Sequence, residues 1–226
     1  MLVCELESRQ DENMTAMGSP FWTTAPGGDT TTTALETGNL KEIESSHQNI
    51  HLSSPPDTGV VLSLAAEKGY AGIVQSILEI PDVDPNIQIR NGRTPLCLAA
   101  EQGHEEVVAA LLRNQAVDPN LRDTVYDQSP LSWAAEKGNA EVIQFLLART
   151  DIDRDSQDLH GQTPVSWAAE KGHHRILDIL LDAGASPDVE DTAGRRPLLW
   201  ASEYDHVEAV RVFIERRILA GIDVDE

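Results

Sequence analysis

The chain has 226 residues, with 38 Asp and Glu against 17 Lys and Arg, giving a formal net charge of −21. That balance argues against a basic nucleic-acid footprint and against attachment to an anionic membrane surface. Two cysteines, Cys4 and Cys97, make no disulfide framework, and neither a signal peptide nor a membrane-length apolar run is present, so an intracellular protein of the cytoplasm or nucleus is expected.

Residues 1–57 differ in composition from the rest. They hold Thr30 to Thr33, Pro26-Gly27-Gly28 and many Ser, Glu and Asn, which predicts a mostly disordered, acidic Thr/Ser/Pro-rich tail. Two segments stand out within it. Residues 34–50, with Leu35, Gly38, Leu40 and Ile43, offer the alternative of a decayed capping repeat. Pro20-Phe21-Trp22 is an aromatic island that reads more simply as a chance pair in linker than as a docking motif.

From residue 58 onward one phrase recurs. It reads Leu64-Ala65-Ala66-Glu67-Lys68-Gly69, then Leu98 to Gly103, Trp133 to Gly138 and Trp167 to Gly172, with a worn copy at Trp200-Ala201-Ser202-Glu203-Tyr204-Asp205. From the second small residue of each copy to the next, the steps are 34, 35, 34 and 33 residues. A fixed step of that size means stacked helical units sharing one continuous core. It divides the chain into units at 58–90, 91–126, 127–160, 161–193 and 194–226.

Each unit has the same grammar. Thr94-Pro95, Ser129-Pro130 and Thr163-Pro164 supply an N-cap hydroxyl and a proline at the first helical position. Gly69, Gly103, Gly138 and Gly172 close the short first helix in the left-handed region. A second helix follows with apolar pairs at helical spacing: Val107, Val108, Leu111 and Leu112, then Val142, Ile143, Leu146 and Leu147, then Ile176, Leu177, Leu180 and Leu181. Turns such as Asp84-Pro85-Asn86, Asp118-Pro119-Asn120, Asn91-Gly92 and His160-Gly161 lead into the next copy. The Ala-Ala pairs let neighbouring first helices approach closely.

This grammar resembles the ankyrin repeat, best over Gly92-Arg93-Thr94-Pro95-Leu96, Gly103-His104, Val107-Val108, Leu111-Leu112 and Asp118-Pro119-Asn120. The Ser-Trp-Ala-Ala-Glu-Lys-Gly wording is similar to a variety common in fungal ankyrin proteins. The resemblance covers Thr58 to Glu226. It implies an all-α ankyrin-repeat solenoid of helix-loop-helix units with β-turn or hairpin tips, whose first helices line a concave face that binds another protein. The family's His after Thr-Pro-Leu is missing, its place taken by Ser63, Cys97, Ser132, Ser166 and Leu199. The first copy lacks Thr-Pro, Asp205 stands where Gly is expected, and the last second helix reads about one turn longer. Gly221-Ile222-Asp223-Val224-Asp225 resembles a linker leading into a further unit, against which the worn fifth copy reads as a terminal one.

Candidate site residues follow from the repeat. Trp133, Trp167 and Trp200 alternate with Leu64 and Leu98 in one slot, which favours packing over a binding stripe. The resemblance directs partner contact to the residues after each Ala-Ala-Glu, namely Lys68, Gln102, Lys137, Lys171 and Tyr204, and to the tips Arg90, Arg93, Tyr126, His160 and Arg195. His104, His173 and His206 lack zinc-ligand spacing and read as structural. No catalytic motif occurs, and no cofactor is expected. The function expected is a non-enzymatic, monomeric adaptor or regulator, a transcriptional coregulator among the options; its net charge reads first as solubility, with steering toward a basic protein surface as the sharper alternative. The alternative is a sensor or scaffold segment of a larger assembly.

Overall fold

The computed structural model describes residues 55–219 other than Arg90, with side chains from Thr58 to Arg216. Among the described residues ten helices form five pairs: α1 (Pro55–Lys68) with α2 (Ala71–Leu78), α3 (Pro95–Gln102) with α4 (Glu105–Arg113), α5 (Pro130–Lys137) with α6 (Ala140–Leu147), α7 (Pro164–Glu170) with α8 (His174–Asp182), and α9 (Pro197–Glu203) with α10 (Val207–Leu219). The expectations for residues 1–54, including the decayed repeat and the aromatic pair, lie outside the described residues, as do Arg90 and residues 220–226.

The helix starts follow the capping residues. Thr94 Oγ1 accepts from Cys97 N at 3.1 Å, Ser129 Oγ from Ser132 N at 3.2 Å, and Thr163 Oγ1 from Ser166 N at 3.2 Å. Each satisfies a backbone donor that the first turn leaves open. The first copy departs from this. Helix α1 starts at Pro55, ahead of the boundary expected at residue 58, and runs 14 residues where α3 and α5 run 8. Pro55 and Pro56 explain the early start, because first-turn positions need no intrahelical N–H.

First helices pack in one row, α1 on α3, α3 on α5, α5 on α7 and α7 on α9, and second helices pack in a parallel row from α2 to α10. The small residues make the first row: Ala65, Ala66, Ala99, Ala100, Ala134, Ala135, Ala168 and Ala169 are all fully buried. Between the rows lies the core of Val107, Val108, Leu111, Val142, Ile143, Leu146, Ile176, Leu177 and Leu180. The fourth apolar residue of each second helix, Leu112, Leu147 and Leu181, is only half-buried. Helix α10 has 13 residues against 9 in α8. Its Arg216 reaches back to Asp178 at 3.0 Å and Asp182 at 2.9 Å.

Two hydrogen-bonded ladders join successive units. On the linker edge, Asn86 Nδ2 donates to Ala116 O at 2.7 Å while its Oδ1 accepts from Asp118 N at 2.8 Å. Asn120 repeats the pattern with Asp151 O at 2.7 Å and Asp153 N at 2.8 Å. At the tips, Thr124 N donates to Asn91 O at 2.7 Å, Leu159 N to Tyr126 O at 2.9 Å, and Thr192 N to His160 O at 3.0 Å. The Ile89–Arg93 tip closes as an antiparallel bridge, and the others are turns closed from Asp123 N to Gln128 O, Asp158 N to Gln162 O and Asp191 N to Arg195 O.

Candidate partner-binding face

Lys68, Gln102, Lys137, Lys171 and Tyr204 occupy equivalent places at the ends of α1, α3, α5, α7 and α9, and all five are exposed. Beneath them the tryptophans form a floor. Trp133 and Trp200 are 4% and 7% exposed and Trp167 is half-buried, so the slot is a packing slot, as its sharing with Leu64 and Leu98 suggests. Trp133 Nε1 donates to Asp123 Oδ2, and Trp167 Nε1 to Asp158 Oδ2, both at 3.0 Å. In the fifth unit Arg195 Nε occupies Asp191 Oδ2 at 3.0 Å, and the Trp200 N–H is buried without an acceptor.

Cations lie on these rings. Arg93 Cζ is 4.2 Å and Lys137 Nζ 5.4 Å from the Trp133 centroid, Lys171 Nζ is 5.4 Å from that of Trp167, and Arg195 Cζ is 3.7 Å from that of Trp200. Distances under about 6 Å place each charge in the attractive field of the ring. Tyr126 meets Trp133 edge-on at 6.1 Å, and Tyr204 stacks on Trp200 at 6.2 Å and on His206 at 6.3 Å.

The glutamates of the three middle repeats are used up inside the protein. Glu136 accepts from Lys137 at 2.9 Å and from Gln128 Nε2 at 3.1 Å, one bond on each carboxylate oxygen. Glu170 does the same with Lys171 at 2.8 Å and Gln162 Nε2 at 2.7 Å. Glu101 pairs with Arg93 at 2.6 Å. Burial works against the Lys171 ammonium, but the hydrogen bond and charge of Glu170 outweigh it and hold its pKa above the ordinary lysine value. Among the aspartates beneath, burial pushes Asp158 up. Burial also opposes ionisation of Asp191, yet the Arg195 and Ala193 N–H groups and the Arg195 charge outweigh it and hold its carboxyl below the usual range.

The structure therefore gathers Arg93, Tyr126 and Lys137 around Trp133, and Arg195 and Tyr204 around Trp200. Arg93 and Arg195 are half-buried anchors of the floor rather than projecting tips, since ring and carboxylate hold each guanidinium. His160 is exposed at its tip, where its carbonyl accepts both the backbone N–H and the hydroxyl of Thr192, each at 3.0 Å. Sequence reasoning missed Asp123, Asp158, Gln128 and Gln162. Their signal was a recurrence: Arg93, Gln128 and Gln162 each precede the glutamate they bind by eight residues.

The histidines serve the stack. His104, His173 and His206 place Nε2 at 3.0, 3.2 and 2.8 Å from the carbonyls of Glu67, Glu136 and Glu170, one unit earlier. A carbonyl only accepts, so Nε2 carries the proton in each. Asn139 fills the same place toward Ala100 O and Glu101 O at 2.8 and 3.0 Å. Where the family resemblance lacked its histidine, Ser132 and Ser166 bond the capping hydroxyls of Ser129 and Thr163, and Cys97 Sγ donates to Leu121 O at 3.4 Å. Among the described residues no helix is long and apolar enough to cross a membrane.

A family model described as ankyrin repeats, in three copies, matches residues 62–158 and again 149–226. No curated protein shows significant similarity to the chain. Ankyrin repeats are non-enzymatic modules that generally bind other proteins, through surfaces built by stacking. With that match over most of its length and helix pairs stacked in two rows, the chain belongs to the ankyrin-repeat family.

Proposed function

We propose that the protein is an intracellular adaptor or regulator that binds a partner protein along the row Lys68, Gln102, Lys137, Lys171 and Tyr204. Arg93, Tyr126, His160 and Arg195 flank the row. The observation that carries this reading is the state of the row: exposed side chains, in register over several units, on a floor that is already fixed. Lys137 and Lys171 are each held by a glutamate and a tryptophan ring. Binding there costs less side-chain entropy than binding to free lysines. Tyr204, 50% exposed and stacked on Trp200, is the kind of aromatic residue that dominates interface energetics. With a net charge of −21, any role at chromatin, including transcriptional coregulation, runs through a protein partner.

The test is affinity purification with mass spectrometry on the full chain and on the triple variant Lys137→Glu, Lys171→Glu, Tyr204→Ala, after circular dichroism shows equal helicity. A partner held by the parent and lost by the variant is the expected result. A partner held equally by both overturns this choice of face.

A further inference from the structure

The Glu-Lys repeat is neutral on paper but not at its surface. The carboxylates of Glu101, Glu136 and Glu170 are 14%, 15% and 12% exposed, whereas the Lys137 and Lys171 side chains are each 40% exposed. Both oxygens of Glu136 and of Glu170 already accept a hydrogen bond. Each ammonium has three N–H donors and spends one on its glutamate, leaving two for a ligand. Covered anions and presented cations make the row locally positive. The acidity that would steer a basic partner lies on another edge, where Asp82, Asp84, Asp118, Asp151, Asp153 and Asp188 are exposed in the linkers.

The row changes character in the fifth unit. Glu203 is exposed there rather than covered, and Tyr204 takes the place of lysine. The row thus presents cations over the third and fourth units and, at the fifth, a carboxylate beside the half-exposed ring of Tyr204.

Accepting the row as the partner-binding face, we infer that it receives an acidic, extended segment of another protein. One carboxylate sits at Lys137, the next at Lys171, and an uncharged apolar residue lies against Tyr204. Packed helices are roughly 8–10 Å apart. An extended chain of the polyproline II form rises about 3.1 Å per residue with three residues per turn, which brings every third side chain to the same face. The anchors of the segment therefore recur at every third position, as acid, acid, apolar.

The test is fluorescence anisotropy on the full chain with three labelled peptides, alike except at the two anchor positions ahead of a leucine, which hold Glu, Gln or Lys. The Glu peptide should bind best and weaken as salt is raised. The double variant Lys137→Gln, Lys171→Gln should weaken it about tenfold, as expected for two exposed charge pairs of ordinary strength. Lys137→Arg, Lys171→Arg should keep most of the affinity. These are exposed side chains, and unchanged thermal melting will show that the fold is intact. Preferred binding of the Lys peptide would overturn the inference. Binding that depends on Tyr204 but ignores the lysines also overturns it, while leaving the row as the binding face. If no peptide responds to any row substitution, both readings fall. The chain's own Glu5, Glu7, Asp11 and Glu12 are the competing occupant. Their conversion to amides should leave affinity unchanged, and a tenfold tightening would assign the row to the protein's own N-terminal residues instead.

Discussion

Trp133 donates its indole N–H to Asp123 at 3.0 Å, ten residues earlier, and so ties the floor of one repeat to the tip that leads into it. Asp123 is 2% exposed, and its other oxygen already caps the N–H groups of Val125 and Tyr126. Trp200 has no such acceptor. Replacing either tryptophan by Phe removes similar volume, but only Trp133→Phe strips a donor from a buried carboxylate. Asp123 Oδ2 would keep only the longer bond from Gln128 N, at 3.3 Å. We therefore expect Trp133→Phe to cost about 1–2 kcal/mol more than Trp200→Phe, the low end of the usual worth of a hydrogen bond to a charged group. Urea denaturation of the two variants checks this.

The left-handed corner after each first helix gives a second prediction. Asp205 adopts φ 58 where the other units have glycine, at φ 79, 76, 85 and 72 for Gly69, Gly103, Gly138 and Gly172. Asp205→Gly should stabilise the protein by about 0.5–1 kcal/mol, because strain in the folded state outweighs the added freedom of the unfolded chain. Gly103→Ala should cost about 2 kcal/mol, since its Cβ would lie 2.8 Å from Asn139 Oδ1 in a region that disfavours side chains. Thermal melting of the two variants should show opposite shifts.

Cys97 sets a pH dependence. Burial pushes its thiol up from 9.0 to about 11. The folded-state pKa is the higher one, so the thiol's contribution is complete below pH 9 and is lost as pH rises from 9 to about 11. The loss amounts to about 2–3 kcal/mol. Denaturation at pH 8 and pH 11 should show it in the parent, with that component removed in Cys97→Ser. The folded protein should also resist alkylation at Cys97 at pH 8 until denaturant is added.

Asn120 joins two repeats through one side chain. Asn120→Ala deletes bonds to Asp151 O and Asp153 N at once, and should cost about 1–2 kcal/mol for two neutral bonds at a partly exposed site. Lys137→Ala, which loses a half-exposed ion pair and a cation–π contact with Trp133, should cost less, about 0.5–1 kcal/mol. Chemical denaturation of both separates a structural ladder residue from a surface one.

The parts of this fold that depend on near neighbours were legible in the sequence. Thr94, Ser129 and Thr163 cap helices through bonds three residues long, and the glycines close them within one turn, so type and spacing are enough. Part of what the sequence hid depends on contact between units. The Arg93 guanidinium rests on Trp133, in the next repeat, and a rotamer choice turned an expected tip residue into an anchor of the floor. The burial of Glu136 and Glu170 was hidden within a single unit, because an adjacent Glu-Lys pair looks like a solvated face until Gln128 and Gln162, eight residues earlier, are placed over it. The early start of α1 was overlooked in favour of the missing Thr-Pro, although Pro55-Pro56 carried the signal in another form.

The asparagine ladder on the linker edge has a genetic counterpart. Asn86 and Asn120 each present donor and acceptor to the following linker, 30 to 33 residues on, as a peptide group would do in a sheet. The two rungs already differ by one residue in span, 30 and 32 for Asn86 against 31 and 33 for Asn120, so the intervening loops absorb single residues while each side chain keeps its two backbone partners. Duplication or loss of a whole period would leave every such bond with a partner of the same kind. A gene for this protein can therefore gain or lose whole periods, and single residues in the loops between rungs, without stranding a bond of the ladder.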